Sequence, residues 1–177
     1  MRTLDLGEIR KMSVLDAGSG DRVGEIVDIV VEPTEGRLLG LLIRNGQGEE
    51  AVLDIASIRI GENAVMAATG APLEVRASSA VLRGGVLGAG LLVGANVVTE
   101  EGTLLGKLSD VHVLPELGLV AYKIAGTVLQ KIFGGGYFIA GDVPVALSSD
   151  GARMIVPGDT EARLAAGSIE ELLKPKV

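Results

Sequence analysis

The strongest constraint on this 177-residue chain is that it matches itself at a displacement of 82 positions. Gly20, Gly24, Asp28, Pro33 and Gly36 fall on Gly102, Gly106, Asp110, Pro115 and Gly118 without a gap. These identities are Gly, Pro and Asp, the residue types on which turns and bulges depend. Apolar positions follow the same displacement: Leu15 falls on Val97, Ile26 on Leu108, Val31 on Val113 and Leu42 on Ile124. Self-similarity at a fixed spacing is the mark of a structural unit used more than once. The chain is therefore expected to fold as two copies of one unit.

Each copy reads as strands. Val14–Ala17 and Val97–Thr99 are short apolar runs, each ending in a turn. Val23–Glu32 and Leu105–Leu114 are longer β-branched runs. Between them and the return strands Arg37–Arg44 and Leu119–Ala125 lie Pro33-Thr34-Glu35-Gly36 and Pro115-Glu116-Leu117-Gly118. Proline presets the φ of a turn and glycine accepts the left-handed conformation that closes it, so both are expected hairpin loops. Further on, Ala51–Ile55 answers Tyr137–Gly141, and Asn63–Met66 answers Gly151–Met154 at a displacement of 88. Six extra residues in the second copy are assigned to 126–136. Residues 70–90, where Gly, Ala and Ser collect, are the expected joint. Residues 159–173 are expected to form a helix, with Asp159 or Thr160 as its cap and Leu164, Ile169, Leu172 and Leu173 on its apolar face.

Composition agrees with an all-β chain. Hydrophobic residues make up 47%, yet aromatics only 2%, and 26 glycines are scattered without period. The net charge is −7, with 16 basic residues against 23 acidic. Binding to nucleic acid draws on clustered Lys and Arg that displace counterions. No basic run here exceeds the pair Arg10-Lys11, so direct nucleic-acid binding is disfavoured. Without Cys there are no thiolate metal sites or disulfides. The longest uncharged stretch, 84–99, has 16 residues including five Gly, short of the ~20 mainly apolar residues of a spanning helix. With no apolar leader at the start, the expected location is cytoplasmic.

The segments Gly20–Asp28 and Gly102–Asp110, each followed by a Pro…Gly hairpin and an aliphatic return strand, resemble the PRC-barrel family. Ile55-Ala56-Ser57-Ile58-Arg59-Ile60-Gly61 looks like that family's closing portion. The resemblance implies two tandem small β-barrels, residues 1–77 and 78–158, followed by a helical tail at 159–177. It rests on the signature Gly24, Asp28, Pro33, Gly36 and Gly106, Asp110, Pro115, Gly118. Family members include the cytoplasmic domain of the photosynthetic reaction-centre H subunit and the C-terminal domain of the ribosome-maturation factor RimM. The chain departs from both: it lacks the H subunit's N-terminal span and RimM's dissimilar N-terminal barrel.

A search of the residues for chemistry assigns no catalytic, cofactor-binding or metal-ligating residue. His112, the only histidine, aligns with Val30 in mid-strand and reads as a strand residue on a partly exposed face, because a general base needs an orienting partner and a pocket. Asp28 and Asp110 read as carboxylates beside a bulge that accept hydrogen bonds from turn N–H groups. Gly88-Ala89-Gly90-Leu91-Leu92-Val93-Gly94 imitates a dinucleotide fingerprint, but Val93 stands where the third glycine is required. The segment 128–137 is the unusual surface feature, and Leu129, Ile132, Phe133 and Tyr137 are the candidate partner contacts. The expected function is non-enzymatic: a protein-interaction or scaffolding protein with an unidentified protein partner, homo-oligomerisation being left open. The alternatives are an accessory factor in RNA processing or ribosome maturation, and a peripheral membrane protein.

Overall fold

The structure, a computed structural model, describes residues 2–126, 137–141 and 143–160, together with the backbone of 165–166. A short helix α1 (Leu6–Arg10) precedes β1 (Ser13–Asp16), β2 (Arg22–Glu32), β3 (Arg37–Arg44), β4 (Glu50–Asp54), β5 (Ile58–Ile60), β6 (Ala64–Ala67) and β7 (Glu74–Val75). The joint holds α2 (Ala80–Arg83), β8 (Val86–Leu87) and a single wide turn over Gly88–Leu92. Then come β9 (Asn96–Thr99), β10 (Leu104–Leu114), β11 (Leu119–Ala125), β12 (Tyr137–Ala140), β13 (Ala146–Leu147), β14 (Arg153–Val156) and β15 (Ala165–Ala166). The all-β reading of the sequence holds. Side chains alternate along the strands: Ile29 and Val31 enter the main core, while Val30 points the other way into a smaller cluster.

The duplication is visible in the pairing itself. Strand order in the first half is β5-β6-β1-β2-β3, with β4 beside β3 and β7 beside β4. The second half runs β13-β14-β9-β10-β11, with β12 beside β11 and β15 beside β12. In both, the first strand pairs parallel with the sixth, and the other neighbours are antiparallel. Both long strands carry a bulge immediately before the signature aspartate, between Ile26 and Asp28 and between Leu108 and Asp110.

Pairing also corrects the alignment by single residues. Val14 faces Gly24 as Val97 faces Gly106, so Val97 answers Val14 and not Leu15. Strand β3 has a second bulge, where Val30 faces Gly40 and Val31 faces Leu38. That extra residue, Leu39, makes Ile43, not Leu42, the counterpart of Ile124. Likewise Val65 beside Val14 corresponds to Met154 beside Val97, replacing the match to Met66. Extra length in the second half is therefore divided between the β11–β12 connection and the stretch from β12 to β14.

The two halves are joined through one sheet and share one buried cluster. Leu38 N–H donates to the Gly118 carbonyl at 2.9 Å, and Val120 N–H to the Gly36 carbonyl at 2.8 Å. These two bonds are counterparts, so a pseudo-twofold axis passes between Arg37 and Leu119 and joins β3 to β11 in one sheet. A single buried cluster runs from Leu4 through Val31 and Tyr122 to Val156. Of the expected C-terminal helix, Ala165–Ala166 instead form a strand on β12; the rest of that segment, apart from Asp159 and Thr160, lies outside the described residues.

The hairpins turn as the sequence predicts. Gly36 and Gly118 adopt φ of +63° and +62°, the left-handed region glycine occupies without strain. Their surroundings differ, because a Cβ on Gly36 would meet the backbone of Gly141 at 2.2 Å while Gly118 has open space. Gly118→Ala is expected to cost about 1–2 kcal/mol, the left-handed penalty alone. Gly36→Ala should cost clearly more, and equal urea midpoints for the two variants would contradict the close approach.

Candidate functional site

Each half receives the leading segment of the other. Leu4 pairs with Val113 through reciprocal backbone bonds of 2.9 and 2.7 Å. Eighty-two residues on, Val86 pairs with Val31, so the joint treats the first half as the N-terminus treats the second. The sequence explains why these segments seat at all. Asp5 and Glu8 close a capping box that holds α1, and Leu6 and Ile9 are buried beneath it. Leu92 and Ala95 do the same for the joint. Fully burying one Leu or Ile contributes roughly 1.5–3 kcal/mol, which favours closure of both leads onto the shared core.

The signature aspartates lie where these leads arrive. Asp28 is 4% exposed; its carboxylate accepts from Ile29 N–H, Ala89 N–H and Gly90 N–H, each at 2.8 Å. Asp110 accepts from Val111 N–H at 2.8 Å and from Leu6 N–H at 3.4 Å, a longer contact. Both carboxylates accept from backbone N–H groups of the opposite lead. Asp28 also accounts for the false dinucleotide fingerprint, since Ala89 and Gly90 belong to it. The backbone N–H groups that would cradle a phosphate are bonded to a protein carboxylate instead.

His112 is half-buried on the outer face of β10, its ring edge-on to Phe138 with centroids 5.0 Å apart. Its Nε2 has no hydrogen-bond partner and stands 3.9 Å from Asp110 Oδ2. Burial pushes its pKa below the ordinary 6.5, opposed by the carboxylates of Asp110, Asp5 and Glu8 and aided by Lys123. The unfolded chain thus binds the proton more readily, and stability gained above pH 6.5 is lost as pH falls below it. Replacing His112 by Gln should flatten the fall in urea midpoint between pH 7 and 5.5; an unchanged slope would assign it to the carboxylates.

Among the described residues no cluster of His, Cys, Asp and Glu is arranged to hold a metal ion. A groove at the end of the β2–β3 pair away from its hairpin is lined by Arg22, Glu25, Arg44 and Asn45. Its charges satisfy one another: Arg44 lies 3.6 Å from Glu25 and 3.1 Å from Glu50, which also pairs with Arg76. Such exposed pairs contribute little to stability.

Among the described residues, exposed large apolar side chains are few and gathered near ends and edges. Leu73, just before the two-residue edge strand β7, and Val75 within it flank Glu74 at 46% and 65% exposure. Glu74 turns its carboxylate to Ser79 Oγ and Ala80 N–H at the cap of α2. Leu104 and Leu117 are exposed in the second half. Of the contacts proposed from sequence, Leu129, Ile132 and Phe133 lie outside the described residues. Tyr137 begins β12 opposite Ile124 and is 8% exposed. Leu73 and Val75 were missed because two apolar residues around a Glu read as linker; their signal was an apolar–polar–apolar triplet within a Gly-Ala-Ser-rich joint.

Set against known proteins, residues 1–73 match the PRC-barrel domain family. The match covers α1 through β6 and stops at Leu73, before β7. No curated protein matches the chain. No helix among the described residues is long and apolar enough to cross a membrane.

Proposed function

We propose that the protein is a non-enzymatic interaction module, two PRC-type units fused into one rigid body that presents a partner protein with sheet edges and loops. The observation that carries this reading is the employment of the signature carboxylates: Asp28 and Asp110 bind backbone N–H groups of the opposite lead. The repeated carboxylates are thereby spent on geometry, which supports a stiff scaffold rather than a reactive centre. The PRC-barrel match over residues 1–73 supports the same reading for the first half; that the second half is a further PRC barrel rests on its repeated pairing. The place favoured for a partner is edge strand β7, beside which Leu73 and Val75 stand exposed. An extended segment that adds there would gain main-chain bonds and two apolar contacts.

The experiment is affinity capture from host lysate with the native chain and with a Leu73→Asp/Val75→Asp variant of unchanged circular dichroism. Loss of one partner on the variant supports the reading; equal recovery of every partner rejects β7 as the docking edge. The narrower likenesses, to RimM and to the reaction-centre H subunit, rest on the fold signature alone. Co-sedimentation with ribosomes in high salt would favour the former, and flotation with liposomes the latter.

A further inference from the structure

Asn45-Gly46 opens the exposed turn between β3 and β4. Asn45 N–H donates to the Glu49 carbonyl at 2.9 Å, and Gly48 N–H to the Asn45 carbonyl at 3.0 Å. Gly48, at φ +81°, is the left-handed residue that returns the chain toward β4. Within this loop the Asn45 amide is engaged at both ends. Its Oδ1 accepts from Gln47 N–H at 3.0 Å and from Glu49 N–H at 2.9 Å. Its Nδ2 donates to Glu49 Oε2 at 2.9 Å. These three bonds fix which end of the amide is oxygen, because the reverse setting would aim donors at donors.

An asparagine side chain is an electrophile toward the backbone nitrogen that follows it. Attack on Cγ gives a tetrahedral intermediate whose negative charge rests on Oδ1. Two backbone N–H groups at 2.9 and 3.0 Å are the arrangement that stabilises such a charge in acyl transfer. The attacking nitrogen is unencumbered. Among the described residues nothing accepts from Gly46 N–H, and a Cβ placed on Gly46 would meet nothing within 4 Å. Asp150-Gly151, the nearest sequence likeness, lacks this freedom. There Gly151 N–H is tied to the Ser148 carbonyl at 2.9 Å, and a Cβ on Gly151 would strike Leu91 at 2.5 Å. The other asparagines, Asn63 and Asn96, precede the strand residues Ala64 and Val97.

We infer that Asn45 is a self-modification site, at which the folded turn converts the side-chain amide to an acid through a cyclic imide. Gly46 N loses its proton to solvent and bonds to Asn45 Cγ. The Cγ–Nδ2 bond breaks, and the nitrogen leaves as ammonia with a proton from water. Water then opens the ring at either carbonyl, giving an aspartyl or an isoaspartyl residue; nothing is oxidised or reduced. Both products lose the bond from Nδ2 to Glu49 and set a new carboxylate close to that of Glu49. The added negative charge falls on the wall of the groove that holds Arg22 and Arg44. The isoaspartyl product also lengthens the main chain by one methylene inside the turn.

Trypsin isolates the site on one peptide, running from Asn45 to Arg59 and holding no other asparagine. The full chain is aged at mildly alkaline pH, and that peptide is followed by mass spectrometry. Amide loss is expected several-fold faster in the folded chain than in the same chain held in guanidinium chloride. Asn63 and Asn96 should keep their amides over the same period. Gly46→Ala, for which the turn has room, should slow the loss several-fold in a protein of unchanged circular dichroism. Gly48→Ala keeps the Asn-Gly pair but strains the residue that brings Glu49 N–H to Oδ1, so the folded rate should fall to the unfolded one. A folded rate no greater than the unfolded rate would overturn the inference. So would a Gly48→Ala variant that reacts as fast as the native chain.

Discussion

Asp28→Ala is expected to destabilise the protein by about 3–5 kcal/mol, among the largest effects of any single substitution away from the hydrophobic core. The carboxylate is 4% exposed and receives three backbone N–H groups at 2.8 Å, two of them from the joint at Ala89 and Gly90. Hydrogen bonds to a charged acceptor contribute roughly 1.5–3 kcal/mol each, and a buried donor left without an acceptor adds its own desolvation cost. Asp28→Asn keeps the volume and one acceptor oxygen, so it should recover part of the loss. Asp110→Ala should cost distinctly less, on the order of 1 kcal/mol, because the Leu6 N–H stands 3.4 Å away and the lead is held as well by its own capping box. Urea unfolding at pH 7 measures all three. Matching midpoints for Asp28→Ala and Asp110→Ala would show that the two aspartates carry equal loads, against the geometry.

That asymmetry marks the boundary of what was legible in the sequence. The displacement of 82 holds without slippage for β2 and β10, whose bounds differ by that number at both ends. Turn glycines, the proline and the post-bulge aspartate each answer a backbone requirement that few other residue types meet, and such requirements leave a trace in one chain. Register around them does not. Nothing in Leu38-Leu39-Gly40-Leu41 announces that Leu39 bulges, since every residue there is apolar or glycine and either face can accept it. A slip of one residue exchanges the two faces of a strand, which is why Leu42, at first matched to Ile124, turned out to match Lys123. The exchange of leading segments was illegible for a different reason. Leu4, Leu6, Ile9 and Met12 declare that something must cover them, and so does the uncharged run 84–99, but a local pattern cannot name a partner 109 or 55 residues away.

Tyr122 tests that shared core directly. It belongs to the second half, is fully buried, and its hydroxyl donates at 3.3 Å to the Pro33 carbonyl in the hairpin of the first half. Burial, with the nearby Glu32 carboxylate, pushes its phenol well above the ordinary value of 10, so it remains a protonated donor throughout the working range. Tyr122→Phe removes only the bond across the halves and should cost about 0.5–1.5 kcal/mol. Tyr122→Ala leaves a cavity where no solvent reaches and should cost about 3–5 kcal/mol, by comparison with other large aromatic truncations. The form of the transition matters as much as its midpoint. Two barrels with private cores would unfold in two steps, and the alanine variant would lower one and spare the other. With Tyr122, Leu4 and Leu92 all in one cluster, neither half retains a complete core once the other opens. The native chain should therefore unfold in one transition with calorimetric and van't Hoff enthalpies equal, and Tyr122→Ala should move that whole transition downward. A variant in which the first half melts at its native temperature would return the molecule to two independent barrels.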